Sequence, residues 1–321
     1  MDALEEICII CAFLSVRKVF YFRERECAMP TKGAKKIAII GAGNVGSVLG
    51  YALKQKGYEL TACFARTEKS RQKAAELLGC PAYEEPEKAA RQAEIVFLTT
   101  PDRVIEEVCD GIAKQGGFRR EQVVLHTSGA HSSEILSAAK EAGTGVLSFH
   151  PLQTFPGLEA GLRALPGTFF AVEGDEKVFK VAEELVEALG GRSLAIPTEM
   201  KPLYHAAACV ACNYLSTLMD VALRMYGVMD VSAEQAFASL SPLIHGTLRN
   251  IGEMGPEKAL TGPVARGDLS TIEAHLKSIK ALAPELLTFY NCLGVYTADL
   301  AYRKGTLSRE QAEQLKNLLG G

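Results

Sequence analysis

Chemistry in this chain starts at Gly41-Ala42-Gly43-Asn44-Val45-Gly46, a G-x-G-x-x-G set between the apolar run Lys36–Ile40 and a helical stretch closed by Gly57. That spacing suits the pyrophosphate of a dinucleotide. Gly41 permits the tight turn, Gly43 lets phosphate approach the backbone, and Gly46 lets helix and strand pack closely. Asn44 and Val45 open the helix, whose free N–H groups and positive dipole end meet the negative charge. A second apolar run, Glu59 to Phe64, completes the strand–helix–strand context that the motif needs. About 20 residues on, where an NAD site places an acid for the ribose 2′-hydroxyl, stands Arg66 with Thr67 and Ser70 after it. A guanidinium and two hydroxyls suit a 2′-phosphate, so the cofactor expected is NADP, with NAD less favoured. Glu68 is the acid in this loop that would serve NAD instead.

Further polar residues stand at the ends of later apolar runs. Thr100-Pro101 follows Ile95–Leu98 and belongs beside the cofactor, and His126-Thr127-Ser128-Gly129 and His150-Pro151 follow the next two runs. His150, held extended by the following proline, is either a substrate ligand or proton donor, or a structural hydrogen-bond partner. His126 reads as a satisfied core histidine. Ser128 suits a bond to nicotinamide or substrate, and no G-x-S-x-G elbow marks it as a nucleophile. At 100° per residue, Lys201, His205 and Asn213 form one polar strip on an Ala-rich helix. Lys201 or His205 can donate a proton, and Asn213 can orient a carbonyl. Arg266, in Leu260–Asp268, either clamps a substrate carboxylate or pairs with Asp268. Six histidines and nine cysteines show no paired spacing for zinc, and Cys209-x-x-Cys212 reads as core packing.

The elements that must position these groups alternate. Apolar runs at Ile95–Leu98, Val123–Leu125, Val146–Phe149, Phe169–Val172 and Leu194–Ile196 are separated by helical segments such as Ser133–Glu141 and Glu176–Leu189. This predicts an α/β fold, a doubly wound sheet with its ligands beyond the carboxyl ends of the strands. From Thr198 the pattern is helical, with capping boxes expected at Ser232/Gln235, Ser270/Glu273 and Ser308/Gln311. The domains expected are an N-terminal extension at 1–35, a dinucleotide-binding domain at 36–197 and an all-helical C-terminal domain at 198–321. The last is long enough to carry a homodimer interface.

The chain has 321 residues, a net charge of −3 and 48% hydrophobic residues, which is globular composition without the basic excess of a nucleic-acid binder. No run of 18 consecutive apolar residues is present, so no membrane segment is expected. Odd, scattered cysteines suit a reducing, cytoplasmic setting. Ile7–Val16 is apolar, but it follows acidic residues and precedes no cleavage site, so residues 1–28 read as a dispensable extension.

Together Gly41–Gly46, His126–Ala130, Ser148–Pro151, Tyr204-His205 with Asn213, and Thr261–Asp268 resemble a family of oxidoreductases, most of them without an assigned substrate. Its members join a Rossmann-like NADP-binding domain to a C-terminal helical domain of unknown function. The resemblance runs from about Lys36 to Leu319. More distantly the architecture is similar to the 6-phosphogluconate dehydrogenase-like group, including pyrroline-5-carboxylate reductase and ketopantoate reductase. In several of those a helix Lys and Asn act on substrate, which implies roles for Lys201 and Asn213. Their K-x-x-x-N spacing would place Asn at position 205, where this chain has His205. The expected function is hydride transfer between NADP and a small carbonyl or imine compound, one bearing a carboxylate. A non-catalytic NADP-binding regulator or sensor is the alternative.

Overall fold

The computed structural model describes residues 35–320, so the expectation for residues 1–28 lies outside the described residues. β1 (Lys36–Ile40) has four fully buried residues in a row, as a parallel strand covered on both faces requires. It pairs in parallel with β2 (Glu59–Phe64) and β4 (Ile95–Leu98). β3 (Ala82–Tyr83), β5 (Val123–His126), β6 (Gly145–Pro151), β7 (Phe169–Gly174) and β8 (Arg192–Ala195) complete an eight-stranded sheet of order 3-2-1-4-5-6-7-8. All neighbouring pairs are parallel except β6 and β7, which are antiparallel.

The helices between strands are α1 (Asn44–Gln55), α2 (Glu68–Leu78), α3 (Pro86–Ala90), α4 (Ile105–Lys114), α5 (Ser137–Glu141), α6 (Leu158–Ala164) and α7 (Phe179–Ala188). Alternate residues of β1 feed two apolar layers. Ile37 and Ile39 join Leu49, Leu53, Phe97 and Phe149 in one, and Ala38 and Ile40 join Val96, Leu98, Ile105 and Ile112 in the other. Each such large side chain contributes about 1.5–3 kcal/mol on burial. The chain winds outward from β1 to β3, then crosses back to β4. Loops at the carboxyl ends of β1 and β4 therefore diverge and leave a crevice.

Two compact units divide the chain, and among the described residues the sheet unit runs to Asn213. Thr198–Asn213 thus belongs with the sheet, although its sequence pattern is already helical. It contains α8 (Lys201–Cys209) and most of a π-helical turn, Val210–Tyr214. The second unit holds α9 (Leu215–Gly227), α10 (Ala233–Ala259), α11 (Pro263–Arg266), α12 (Leu269–Leu282), α13 (Leu287–Lys304) and α14 (Arg309–Gly320). Its main core gathers Ile272, Ala298, Ala301, Leu315 and Leu319.

One of the expected capping boxes forms in both directions and another in one. Ser232 caps α10 by accepting from Gln235 N–H. Ser308 and Gln311 bond reciprocally, side chain to backbone in both directions. The third differs: Asp268, not Ser270, caps α12, accepting from Thr271 N–H at 3.1 Å and from the Ser270 hydroxyl at 2.9 Å. Left-handed Gly267 closes α11 and turns the chain so that the stronger, charged acceptor arrives first. The stretch Thr198–Gly227 is long and apolar enough to cross a bilayer by length and composition, with mean hydropathy 1.4. It also carries Lys201, His205 and Asn213.

Candidate functional site

A cavity of about 850 Å³ opens where β1 and β4 part, lined by Gly41, Gly43, Asn44, Val45, Arg66, Thr67, Ser70, Thr100 and Pro101, all expected from the sequence. The glycines divide their work as expected. Gly41 has φ +102°, and a Cβ there would stand 2.7 Å from Thr100 N. Gly46 does not line the cavity; a Cβ on it would lie 2.3 Å from Thr99 Oγ1, so its role is close helix–strand packing. Over Gly43 nothing lies within 4 Å of such a Cβ, which leaves the helix N-terminus open to an anion. Asn44 opens α1 and donates to the Phe155 carbonyl at 3.0 Å, tying the loop after β6 to the glycine turn.

At the far end of the cavity Thr67 caps α2, accepting from Ser70 N–H and donating its hydroxyl proton to Ser70 Oγ at 2.8 Å. Arg66 is exposed beside this N-terminus, while Arg71 props the turn by donating to the carbonyls of Ala65 and Arg66. Glu68 accepts from Gln72 on α2 and does not line the cavity. Thr100, which lines the same crevice, has a buried Oγ1 with no hydrogen-bond partner, an unsatisfied polar atom that calls for one. An open glycine turn, an orphan hydroxyl and a cationic helix N-terminus in one cavity fit a phosphorylated dinucleotide.

Beyond Thr127, which also lines the cavity, lies a cluster of polar side chains at the ends of β5 and β6. Ser128 is fully engaged there. Its Oγ donates to Asp102 at 2.7 Å and accepts from the N–H groups of Ala130 and His131, which exhausts a hydroxyl. The expected bond from Ser128 to a ligand is therefore replaced by a turn lock. His126 is the satisfied core histidine expected: its Nδ1 accepts from Ser128 N–H and its Nε2 donates to Ser132 O at 3.0 Å. Burial pushes its pKa down to about 4.

Gly129 has no side chain, and its neighbours use the space. A Cβ there would stand 2.4 Å from His205 Nδ1 and 2.8 Å from His150 Nε2. The two imidazoles meet edge to face, with ring centres 5.9 Å apart. His150 Nδ1 shares a hydrogen bond with Tyr204 Oη at 2.9 Å. Burial first, then the Lys201 charge, lowers the His150 pKa to about 4, so this ring is neutral at pH 7. Burial also raises Tyr204 to about 12. His205 Nε2 lies 3.6 Å from Cys209 Sγ, one turn along α8, whereas its Nδ1 is buried without a partner.

Lys201 is fully buried, with Nζ donating to the Ser128 carbonyl at 3.2 Å and lying 5.5 Å from the centre of the Tyr204 ring. Burial brings its pKa down to about 8, against the opposing fields of Glu173 and Asp102. Glu173 is itself buried in β7 and accepts from Ser133 N–H, Ser133 Oγ and Thr198 Oγ1.

The structure thus brings Lys201, His205, His150 and Ser128 together but not every expected residue. Asn213 falls in the π-helical turn and is exposed. The wider turn breaks the 100° step by which it was placed on the strip with His205. Arg266 lies in the helical unit, exposed at the end of α11, and its charge helps lower the Asp268 pKa after the dominant Thr271 hydrogen bonds. Cys209 and Cys212 are not core: one is half-buried against His205 and the other exposed. Sequence reasoning missed Asp102 and Glu173, and it gave Tyr204 no role beyond its place in the resemblance. An acid after Pro101 at a strand end, and an acid inside the apolar run of β7, were the signals.

Residues 26–151 match the model of a Rossmann-like domain, and residues 168–297 match that of a domain of unknown function (DUF2520). The chain joins these two domains. Among solved structures it is similar to a Bacteroides fragilis protein described as a "putative NADP oxidoreductase", at 24% identity and TM-score 0.66, covering 81% of this chain and 96% of that one. It is also similar to protein TM1727 of Thermotoga maritima, at 27% identity and TM-score 0.63, covering 87% and 98%. Pyrroline carboxylate reductase of Plasmodium falciparum, solved with NADP bound, shares the fold at 13% identity and TM-score 0.55, covering 90% and 100%. No curated protein matches the chain.

Proposed function

We propose that this chain is an NADP-dependent oxidoreductase that moves a hydride between nicotinamide and a small carbonyl or imine compound. The observation that carries this reading is one continuous edge of the sheet. It holds an open glycine turn, the unsatisfied Thr100 hydroxyl and, past Thr127, the unsatisfied His205 ring nitrogen. NADPH supplies the hydride when bound. Gly43, Asn44 and Val45 receive its pyrophosphate at the α1 N-terminus, and Arg66, Thr67 and Ser70 take the 2′-phosphate. The Plasmodium reductase with NADP bound supports the cofactor and, by its name, a substrate with a ring C=N bond.

His205 delivers or removes the proton at substrate, because its Nδ1, packed against Gly129, is a buried ring nitrogen with no hydrogen-bond partner. Lys201, sealed from solvent and bonded to Ser128 O, positions the Ser128–Gly129 turn and helps keep His150 neutral. His150 and Tyr204 then offer a neutral hydrogen-bonding pair to substrate.

The helical unit exposes Leu243 (66%), Tyr296 (70%), Phe237 and Met254. So many large apolar side chains call for a cover, and the partner proposed is a second copy of the chain.

The test is NADPH oxidation at 340 nm against keto acids, aldehydes and cyclic imines, with wild type and His205→Ala. Turnover of at least one compound is expected, with kcat about 100-fold lower in the variant and NADPH affinity retained. Tight NADPH binding with no turnover across the panel would favour a sensor instead.

A further inference from the structure

β4 and β5 pair in parallel with Leu98 opposite His126, so the chains leaving their carboxyl ends run on side by side. Beyond Pro101 the first forms a single short helical turn, Asp102–Val104. The second passes through Thr127 to Ser128 and Gly129. Ser128 is only 3% exposed, and each of its polar groups is held. Its N–H donates to His126 Nδ1 and its carbonyl accepts from Lys201 Nζ. Its hydroxyl donates to Asp102 Oδ2 at 2.7 Å while accepting from the N–H groups of Ala130 and His131. Of these five partners, Asp102 lines the cofactor cavity and the other four do not.

An acid is out of keeping with that cavity. Asp102 is an exposed carboxylate on the wall of a space that fits a phosphorylated dinucleotide, where a like charge works against binding. What the carboxylate does instead is accept a short, charge-assisted bond from the residue before Gly129. A Cβ on Gly129 would meet both His205 Nδ1 and His150 Nε2, so the two rings rest on the backbone of that residue.

We infer that Asp102 is a positioning residue for the reaction: from the wall of the cofactor cavity it holds the Ser128–Gly129 turn that seats His205 and His150. It acts through Ser128. Without the bond the buried hydroxyl loses its acceptor, the turn loosens, and His205 Nδ1 loses the fixed place from which it exchanges a proton with substrate. A misplacement of about 1 Å costs roughly 100-fold in rate. An amide oxygen at position 102 still accepts from the hydroxyl, so Asp102→Asn separates the bond from the charge. The effect on rate rests on the His205 reading above, whereas the seating of the rings does not.

Histidine-labelled protein without cofactor gives the first measurement, its ring nitrogen NMR signals assigned with His205→Gln and His150→Gln. The signals of both rings are expected to move in Asp102→Ala and to return close to their wild-type positions in Asp102→Asn. Signals that stay in place in Asp102→Ala, or move as far in Asp102→Asn, overturn the proposal. Ser128→Ala breaks the same bond from its other end, and the same displacement is required of it where Asp102→Ala folds poorly. Turnover gives the second measurement. A kcat about 10- to 100-fold lower is expected in Asp102→Ala, and one within about five-fold of wild type in Asp102→Asn. In a Ser128→Ala background Asp102→Ala should lower kcat by less than about two-fold more, because the bond is already gone; a full further loss counts against the assignment. NADPH affinity should be undiminished in both Asp102 variants, and weaker binding would make Asp102 a cofactor ligand instead. A wild type that turns over nothing overturns the hydride-transfer reading, and the ring signals still decide the seating.

Discussion

Lys201 and Arg66 are cations set to opposite uses, one sealed and one open. The Lys201 pKa of about 8 lies below the ordinary 10.5 because burial disfavours the charge. Between those two values the unfolded chain holds a proton that the folded chain lacks, so stability rises with pH across that window. The stability of wild type relative to Lys201→Met should therefore improve by roughly 3 kcal/mol from pH 7 to pH 11. Urea titrations at several pH values check this, and a flat difference would mean that Lys201 does not titrate there. Arg66→Ala should weaken NADPH binding by about 10- to 100-fold and NADH binding hardly at all, as loss of a charge-assisted bond to phosphate requires. Equal losses in parallel fluorescence titrations would count against the 2′-phosphate assignment. His205 and Lys201 were visible as polar breaks on an apolar helix. What stayed hidden was their difference in access, because burial depends on the turn after β5 and not on α8 itself.

Among the elements, the glycine turn separates folding from binding. A Cβ at Gly46 meets Thr99 Oγ1 and the Gly41 carbonyl, whereas one at Gly43 meets nothing within 4 Å. Gly46→Ala should thus lower stability by about 1–3 kcal/mol through overpacking. Gly43→Ala should leave the melting temperature nearly unchanged and abolish tight NADPH binding. Calorimetry beside cofactor titration distinguishes the two. Ser308→Ala removes one half of a reciprocal cap and should cost about 0.5–2 kcal/mol. Strands were legible because parallel strands buried on both faces read as unbroken apolar runs; Glu59–Phe64 was found to the residue. β3, two residues long, gives no such run. The π-helical turn at Val210–Tyr214 leaves no mark on hydrophobic period, so the 100° step used to place Asn213 does not hold across it. At the start of α12 an Asp preceded by a left-handed glycine outranked the Ser-x-x-Glu pattern that was read there.

For the whole molecule, the proposed pairing of two chains accounts for an apolar surface that composition alone does not flag. Sedimentation velocity should show a dimer at micromolar concentration, and Leu243→Asp with Tyr296→Asp should shift it to monomer while each chain stays folded by circular dichroism. A wild-type monomer would remove the argument. The alternation of runs predicts a sheet domain followed by a helical one, but it carries no sign of the point at which the sheet unit ends. Thr198–Asn213 has helical periodicity like the residues after it, and only packing assigns it to the sheet.

Gly129 carries a consequence for sorting relatives of this chain. Two imidazoles occupy the volume that a methyl group at that position would fill. A related chain can keep the glycine-rich turn, the sheet and both histidines and still lack the arrangement, if residue 129 bears a side chain. Transfer of an activity between such chains is better decided at this one position than by overall identity, and a collection divided by it should separate into members that turn over substrate and members that only hold the dinucleotide.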